Sequence, residues 1–338
     1  MDSVTQFVLG SGVTALAIGP VVGPRTAMIF GGIMGTLPDL DVLVTYADPI
    51  DSYIGHRGPS HAFLVHTLLA PVIGEILLLL DRRLRDHRFR TWLAVWLVLV
   101  THAVIDAMTT YGTRIFWPFS SEPVGAASIF IIDPFYTLPL LIAALYAIFA
   151  GRWTRFSSRL FGFAVISSTL YMGWTVAGQH LAAGRAAATI AAAGESAVLT
   201  ETQPLPFNSL VWRTIAITPE GEVLTVYSSL LDREPDDRIF RVSQGLELID
   251  RMPDRFAVSK VAEFTHGLFY VHEKDGAVLV SDLRMGLHPD YVFTFEIGKR
   301  DGPTITAVPP VRLPVNRRLE DARWIWDRLL DPKAELPH

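Results

Sequence analysis

What most restricts this chain is a series of apolar runs long enough to cross a bilayer. A membrane helix needs about 20 mostly apolar residues. Six segments qualify: 7–23, 26–46, 61–80, 91–108, 131–150 and 160–182. Half of the 338 residues are hydrophobic and the mean hydropathy is positive. That is too apolar for an ordinary soluble protein of this length. The first segment lacks the basic start and small-residue cleavage site of a secretory signal, so it is expected to be retained. From residue 200 onward the composition is that of a soluble domain. The chain has no cysteine, which excludes disulfides and thiolate metal sites. Its net charge of −5 carries no polyanion-binding signature, and no nucleic acid is expected as a partner.

Arginines set the orientation. The loop after the third run, DRRLRDHRFR, holds Arg82, Arg83, Arg85, Arg88 and Arg90. The loop after the fifth holds Arg152, Arg155 and Arg159, and Arg25 follows the first. Positive loops favour the cytoplasmic side. With six spans all of these loops share one side. The N-terminus and the whole C-terminal region then face the periplasm of a bacterial inner membrane.

The costly polar residues fall at the opposite helix ends. Asp39 and Asp41 lie in GTLPDLDV, closing the second run. His56, Arg57 and His61 lie in GHRGPSH, opening the third. His102 and Asp106 close the fourth, and Asp133 opens the fifth. His102 and Asp106 are spaced i, i+4 and so cover one helix face. Imidazoles and carboxylates converging at one face suit Zn²⁺, or the harder Mn²⁺. The candidate ligands are Asp39, Asp41, His56, His61, His102 and Asp106. An open metal position polarises a carbonyl or phosphoryl oxygen and activates water. Arg57 suits an anionic substrate oxygen, and Asp41 or Asp106 suits a general base. Asp2 and Asp133 read as helix caps, His66 as a packing histidine, and Tyr136 as an interface aromatic.

MDSVTQFVLG, GTLPDLDV, HRGPSH, HAVIDAMTTYGT with WPFS, IIDPFYTLPLL and, in the tail, NSLVWRTIAI and VLVSDLRMG together resemble the YdjM/YfhP-type bacterial membrane-bound, metal-dependent hydrolases. The resemblance implies an integral inner-membrane protein with hydrolase chemistry. Many members carry His where this chain has Gln6, so Gln6 stays off the ligand set.

Beyond the membrane region, residues 183–199 read as an Ala-rich helical extension or stalk, and QPLPFN as a linker. Alternating runs follow: SLVWRTIAI, EVLTVYSSL, RIFRVS, GLFYVHE, AVLVSDL and YVFTFEI, with turns at PEGE and KDGA. RRLEDARWIWDRLL reads as an amphipathic helix. His266, His272 and His288 read as surface histidines.

The expected architecture is a polytopic α-helical membrane domain of about six spans (1–185). A small antiparallel β-rich, α+β extracytoplasmic domain (200–338) with a C-terminal helix follows it. The expected function is divalent-metal-dependent hydrolysis at the outer membrane face, with zinc as cofactor or manganese in its place. The expected substrate is a membrane lipid, phosphoester or other amphiphile. A non-enzymatic scaffold is the alternative, with the polar cluster fixing helix packing and the C-terminal domain binding a protein partner. A proton-coupled transporter is a third reading, but relays sit near the bilayer midplane and these residues sit at the rim.

Overall fold

A computed structural model describes residues 1–233, 238–315 and 319–336. The chain forms two compact units. One comprises Met1–Leu43 and His56–Val176, the other Val44–Gly55 and Ala177–His338.

The first unit is helical. Helix α1 (Ser3–Val22) starts at Asp2, whose carboxylate accepts from the amides of Val4 and Thr5, satisfying two of the orphan N–H groups of a first turn. Helix α2 (Pro24–Thr36) opens on proline. Pro38 lacks the N–H needed to continue it, and the chain tightens into a 3-10 helix over Pro38–Leu43. Helix α3 (Pro49–Gly55) belongs to the second unit. A 3-10 turn at Pro59–His61 leads into α4 (Phe63–Leu80). Helices α5 (Arg88–Ala107) and α6 (Pro134–Phe149) follow. Helix α7 (Arg155–Ala192) contributes residues to both units and absorbs the Ala-rich stretch.

Each of the six expected segments contains a helix, though not all six reach spanning length. Among the described residues four helices are long and apolar enough to cross a membrane: Ser3–Val22, Phe63–Leu80, Arg82–Ala107 (which includes the 3-10 turn before α5) and Arg155–Ala192. Helix α6 is apolar but has only 16 residues. Helix α2 has 13 and covers about 20 Å, well short of a bilayer core of roughly 30 Å.

Helix α1 packs against α2, α5 and α6. Glycines set the closeness of α1 and α2. A Cβ on Gly10 would lie 2.2 Å from the Gly31 carbonyl oxygen, and one on Gly31 would lie 2.1 Å from the Gly10 oxygen. Small residues let membrane helices meet backbone to backbone. Other contacts order the helix ends. Asp2 N donates to Ile131 O at 3.0 Å, and the Thr5 and Thr137 hydroxyls meet at 2.7 Å, joining the starts of α1 and α6. Arg25 Nε donates to Ile148 O at 2.9 Å, joining the start of α2 to the end of α6. The arginine-bearing ends thus gather away from the ends that carry acids and imidazoles. Asp133 caps α6 and accepts from Tyr171. Tyr136, expected at the interface, is 2% exposed and part of the core.

The second unit is built on antiparallel sheets. Strands β1 (Leu199–Pro204), β2 (Val211–Ile217), β3 (Glu222–Ser229) and β4 (Phe240–Ser243) form one sheet in that order. Helices α8 (Leu246–Asp250) and α9 (Phe256–Phe264) lead to β5 (Phe269–Lys274) and β6 (Ala277–Asp282), then β7 (Gly286–Leu287), β8 (Asp290–Tyr291), β9 (Thr294–Asp301) and β10 (Thr304–Arg312). The second four-stranded sheet runs β10-β9-β6-β5, and β7 pairs with β8. Residues from both four-stranded sheets, among them Ile215, Val223 and Tyr270, share one core cluster with Leu268, Leu283 and Tyr291. Helix α10 (Leu319–Leu330) closes the chain. Arg317 and Arg318 of the expected helix lie outside the described residues.

Each of the six expected strand runs contains a strand. Strands β1, β7 and β10 lie outside those runs, and β8 overlaps one only at Tyr291. Gln203 and Pro204, read as linker, end β1. Strand β10 carries Pro309 and Pro310 where its register shifts. Strands β1 and β10 are edge strands, the sheet position that tolerates proline. His266 and His288 are exposed. His272 is half-buried and stacked on Tyr270 at 4.4 Å, so it is not a free surface histidine.

The close α1–α2 approach gives a direct test. Gly31→Ala should destabilise the detergent-solubilised protein by about 2 kcal/mol. Gly162→Ala, which meets no atom within 4 Å, should leave the thermal midpoint unchanged or slightly raised. Equal midpoints for the two variants would contradict the packing account.

Candidate metal centre

Four side chains from three elements converge in the first unit. Asp39 comes from the 3-10 helix after α2, His61 from the turn before α4, and His102 and Asp106 from the last turns of α5. One ligand atom from each lies within 4.8 Å of the others. His61 Nε2 is 3.1 Å from His102 Nε2, 3.4 Å from Asp39 Oδ1 and 3.3 Å from Asp106 Oδ2. His102 Nε2 is 3.6 Å from Asp39 Oδ1 and 3.4 Å from Asp106 Oδ2. A tetrahedral ion with bonds near 2.1 Å holds its ligand atoms roughly 3.4 Å apart. These five separations bracket that value.

Hydrogen bonds at the far side of each ring fix which nitrogen faces the centre. His102 Nδ1 lies 2.7 Å from the Gly35 carbonyl oxygen. A carbonyl only accepts, so Nδ1 carries a proton, and in the neutral ring Nε2 offers its lone pair to the centre. Ser60 Oγ donates to Asp41 Oδ2 at 2.8 Å, so at 2.9 Å it accepts from His61 Nδ1. The His61 Nε2 lone pair therefore also points inward. Orienting partners of this kind accompany metal-bound histidines. The glycine contact between α1 and α2 matters here, because it fixes the helix whose last turn carries Gly35.

The carboxylates complete the centre. Asp39 Oδ1 and Asp106 Oδ2 are buried and have no hydrogen-bond partner among the described residues. An unpaired buried carboxylate oxygen is costly, and a cation would remove that cost. Asp106 Oδ1 accepts from Gln6 Nε2 at 2.9 Å and from the chain's first amino group. Arg57 Nε lies 3.2 Å from Asp106 Oδ2, and Arg57 Nη1 donates to Thr109 Oγ1 at 2.9 Å. The guanidinium is thus already engaged with the Asp106 carboxylate. His61 and Asp106 are fully buried and His102 nearly so, whereas the Asp39 side chain is 20% exposed. Burial pushes the Asp39 carboxyl up, but its contacts with His102 and His61 outweigh this and hold it below the usual carboxylate range.

Asp41 and His56 stand beside the four rather than among them. Asp41 Oδ1 meets His56 Nδ1 at 2.7 Å, and Asp41 Oδ2 accepts from Arg57 N at 2.8 Å. Burial raises the Asp41 carboxyl, and the hydrogen bond to His56 more than offsets it, so the carboxyl titrates below its usual range. The His66 ring bonds the Ser60 carbonyl at 2.8 Å and is not one of the four clustered residues. Gln6 is the residue that sequence reasoning left out. It is 1% exposed, with Oε1 unpartnered among the described residues. A polar residue one turn into an apolar helix was the available signal.

Residues 1–182 match the YdjM inner membrane protein family. The chain is also similar to the inner membrane protein YbcI of Escherichia coli (strain K12). The two are 32% identical over 135 residues, which cover 37% of this chain and 75% of that protein. No solved structure matches.

Because Gln6 already touches Asp106, Gln6→His is expected to add a nitrogen donor at the centre and to tighten zinc binding about tenfold. Chelator competition on the purified protein would read this. Unchanged or weakened binding would place position 6 outside the centre.

Proposed function

This chain belongs to the YdjM inner membrane protein family, and from that premise we propose that it is a membrane-embedded, divalent-metal-dependent hydrolase. The observation that supports this most is the four-atom set of two inward imidazole nitrogens and two carboxylate oxygens without a hydrogen bond among the described residues, with five of the six separations near those of a tetrahedral ion. Two nitrogen and two oxygen donors suit zinc first and manganese second.

In this reading Asp39, His61, His102 and Asp106 hold the ion. The ion supplies Lewis-acid polarisation of the scissile carbonyl or phosphoryl group. Asp41 stands on the Nδ1 side of His61, away from the ion, and orients that ring through Ser60. Its carboxylate lies next to the ligand His61, with Asp41 Oδ2 3.6 Å from His61 Nδ1, and His56 and Ser60 fix its orientation. Arg57 orients Asp106 and, with five N–H donors, retains capacity for an anionic substrate oxygen.

The exposed side of the site supports a substrate class. The 3-10 helix turns Asp39 and Asp41 inward and leaves Leu40, Val42 and Leu43 at 54%, 64% and 76% exposure. A charged centre rimmed by apolar side chains suits an amphiphile with a phosphoester or ester head. The arginine-bearing helix ends lie opposite the site, and the positive-inside tendency supports a site at the outer face of the inner membrane.

A scaffold reading draws on the Arg57–Asp106 and Asp41–His56 pairs, which balance charge without an ion. It accounts for Asp106 Oδ2 through Arg57, but not for the two facing ring nitrogens beside Asp39 Oδ1.

Metal analysis and hydrolysis assays separate the readings. Wild-type protein should carry about one zinc equivalent and cleave a phosphodiester or a micellar phospholipid. His102→Ala with Asp106→Ala should lose both properties. Asp41→Asn should loosen the His61 ring and weaken zinc binding about tenfold or more. Equal and negligible metal in wild type and the double variant would end the metal reading.

A further inference from the structure

Between Asp41 and His56 the chain leaves the first unit and returns to it. The base of this excursion is pinned at the site: Asp41 bonds the His56 ring, the Arg57 amide and the Ser60 hydroxyl. Its tip, residues 44–55, is part of the second unit. Ile50 there is fully buried and Tyr53 is 5% exposed. The Tyr53 ring lies 4.8 Å from that of Phe264, 4.4 Å from Phe293 and 5.7 Å from Phe295. Its hydroxyl donates to Asp282 and accepts from Arg284 at 3.2 Å. Lys260 Nζ donates to Asp51 at 2.5 Å and lies 3.6 Å from Asp48.

The excursion separates the ligands into two groups. Asp39 precedes it and His61 follows it, each within a few residues of its ends, whereas His102 and Asp106 ride on α5. A free loop would pay closure entropy whenever Asp41 met His56. With its tip folded into a core, that freedom is removed in advance, and binding gains from groups held in place beforehand.

We propose that the β-rich unit is a positioning element for the metal centre, with Tyr53 and Lys260 as positioning residues that hold Asp39 and His61 through the chain between them. Only the metal-affinity arm of the test rests on the functional reading above.

The test is hydrogen exchange on the full-length, chelator-treated protein in detergent, comparing wild type, Tyr53→Ala and Tyr53→Phe. Tyr53→Ala should speed exchange roughly tenfold in segments 38–43 and 56–61 while leaving α5 protected. Tyr53→Phe keeps the ring and should stay close to wild type in these segments. If β5 and β6 also lose protection in Tyr53→Ala, Lys260→Met carries the same comparison through the half-exposed ion pair alone. Loosening of 44–55 with unchanged exchange at 38–43 and 56–61 would overturn the proposal. In the affinity arm, Tyr53→Ala should weaken zinc binding about tenfold. A wild type that binds no zinc would count against the hydrolase reading, while the exchange result would still decide this one.

Discussion

Burying ionisable groups at a membrane helix end is expensive. A charge near the bilayer centre costs roughly 3 kcal/mol or more, and a carboxylate oxygen without a partner adds to that. This protein places Asp106, His102 and His61 out of solvent in one spot and sets two carboxylate oxygens beside two inward ring nitrogens. The surrounding structure is arranged around that arrangement. Glycines bring α2 against α1 so that the Gly35 carbonyl can set the His102 tautomer. Ser60 and Asp41 do the same for His61. The i, i+4 spacing on α5 supplies the remaining pair.

Membrane helices fix direction well but leave their ends loose. Here the ends are tied: α1 to α6 through Thr5 and Thr137, α2 to α6 through Arg25, and the site loop through the core that encloses Tyr53. The 3-10 helix after α2 has a second role. By alternating Asp39 and Asp41 with exposed Leu40, Val42 and Leu43, it joins a polar centre to an apolar rim, as an amphiphilic substrate would require.

Much of this was legible in the residues. Apolar runs located the helices because hydropathy acts over a whole segment, and the HAVID spacing placed His102 and Asp106 on one face because helical geometry is local. The shortness of α2 was less legible, since an apolar run does not show where Pro38 stops the hydrogen-bond ladder. Strands β1 and β10 escaped because edge strands tolerate the prolines that normally argue against a strand. The division of labour among Asp39, Asp41, His56 and His61 was not legible at all. It depends on which atoms meet across the bundle, and the fate of residues 44–55 depends on a core formed by residues some 200 positions later. The role of Gln6 was hidden for the same reason.

The central claim is that one divalent ion sits between His61, His102, Asp39 and Asp106. Anomalous diffraction at the zinc edge, from crystals of the purified full-length protein, tests it most directly. The account predicts a single strong peak about 2.1 Å from both Nε2 atoms and from one oxygen of each carboxylate. A zinc-loaded crystal with no peak there, or with its peak on Asp41 and His56 instead, would contradict it.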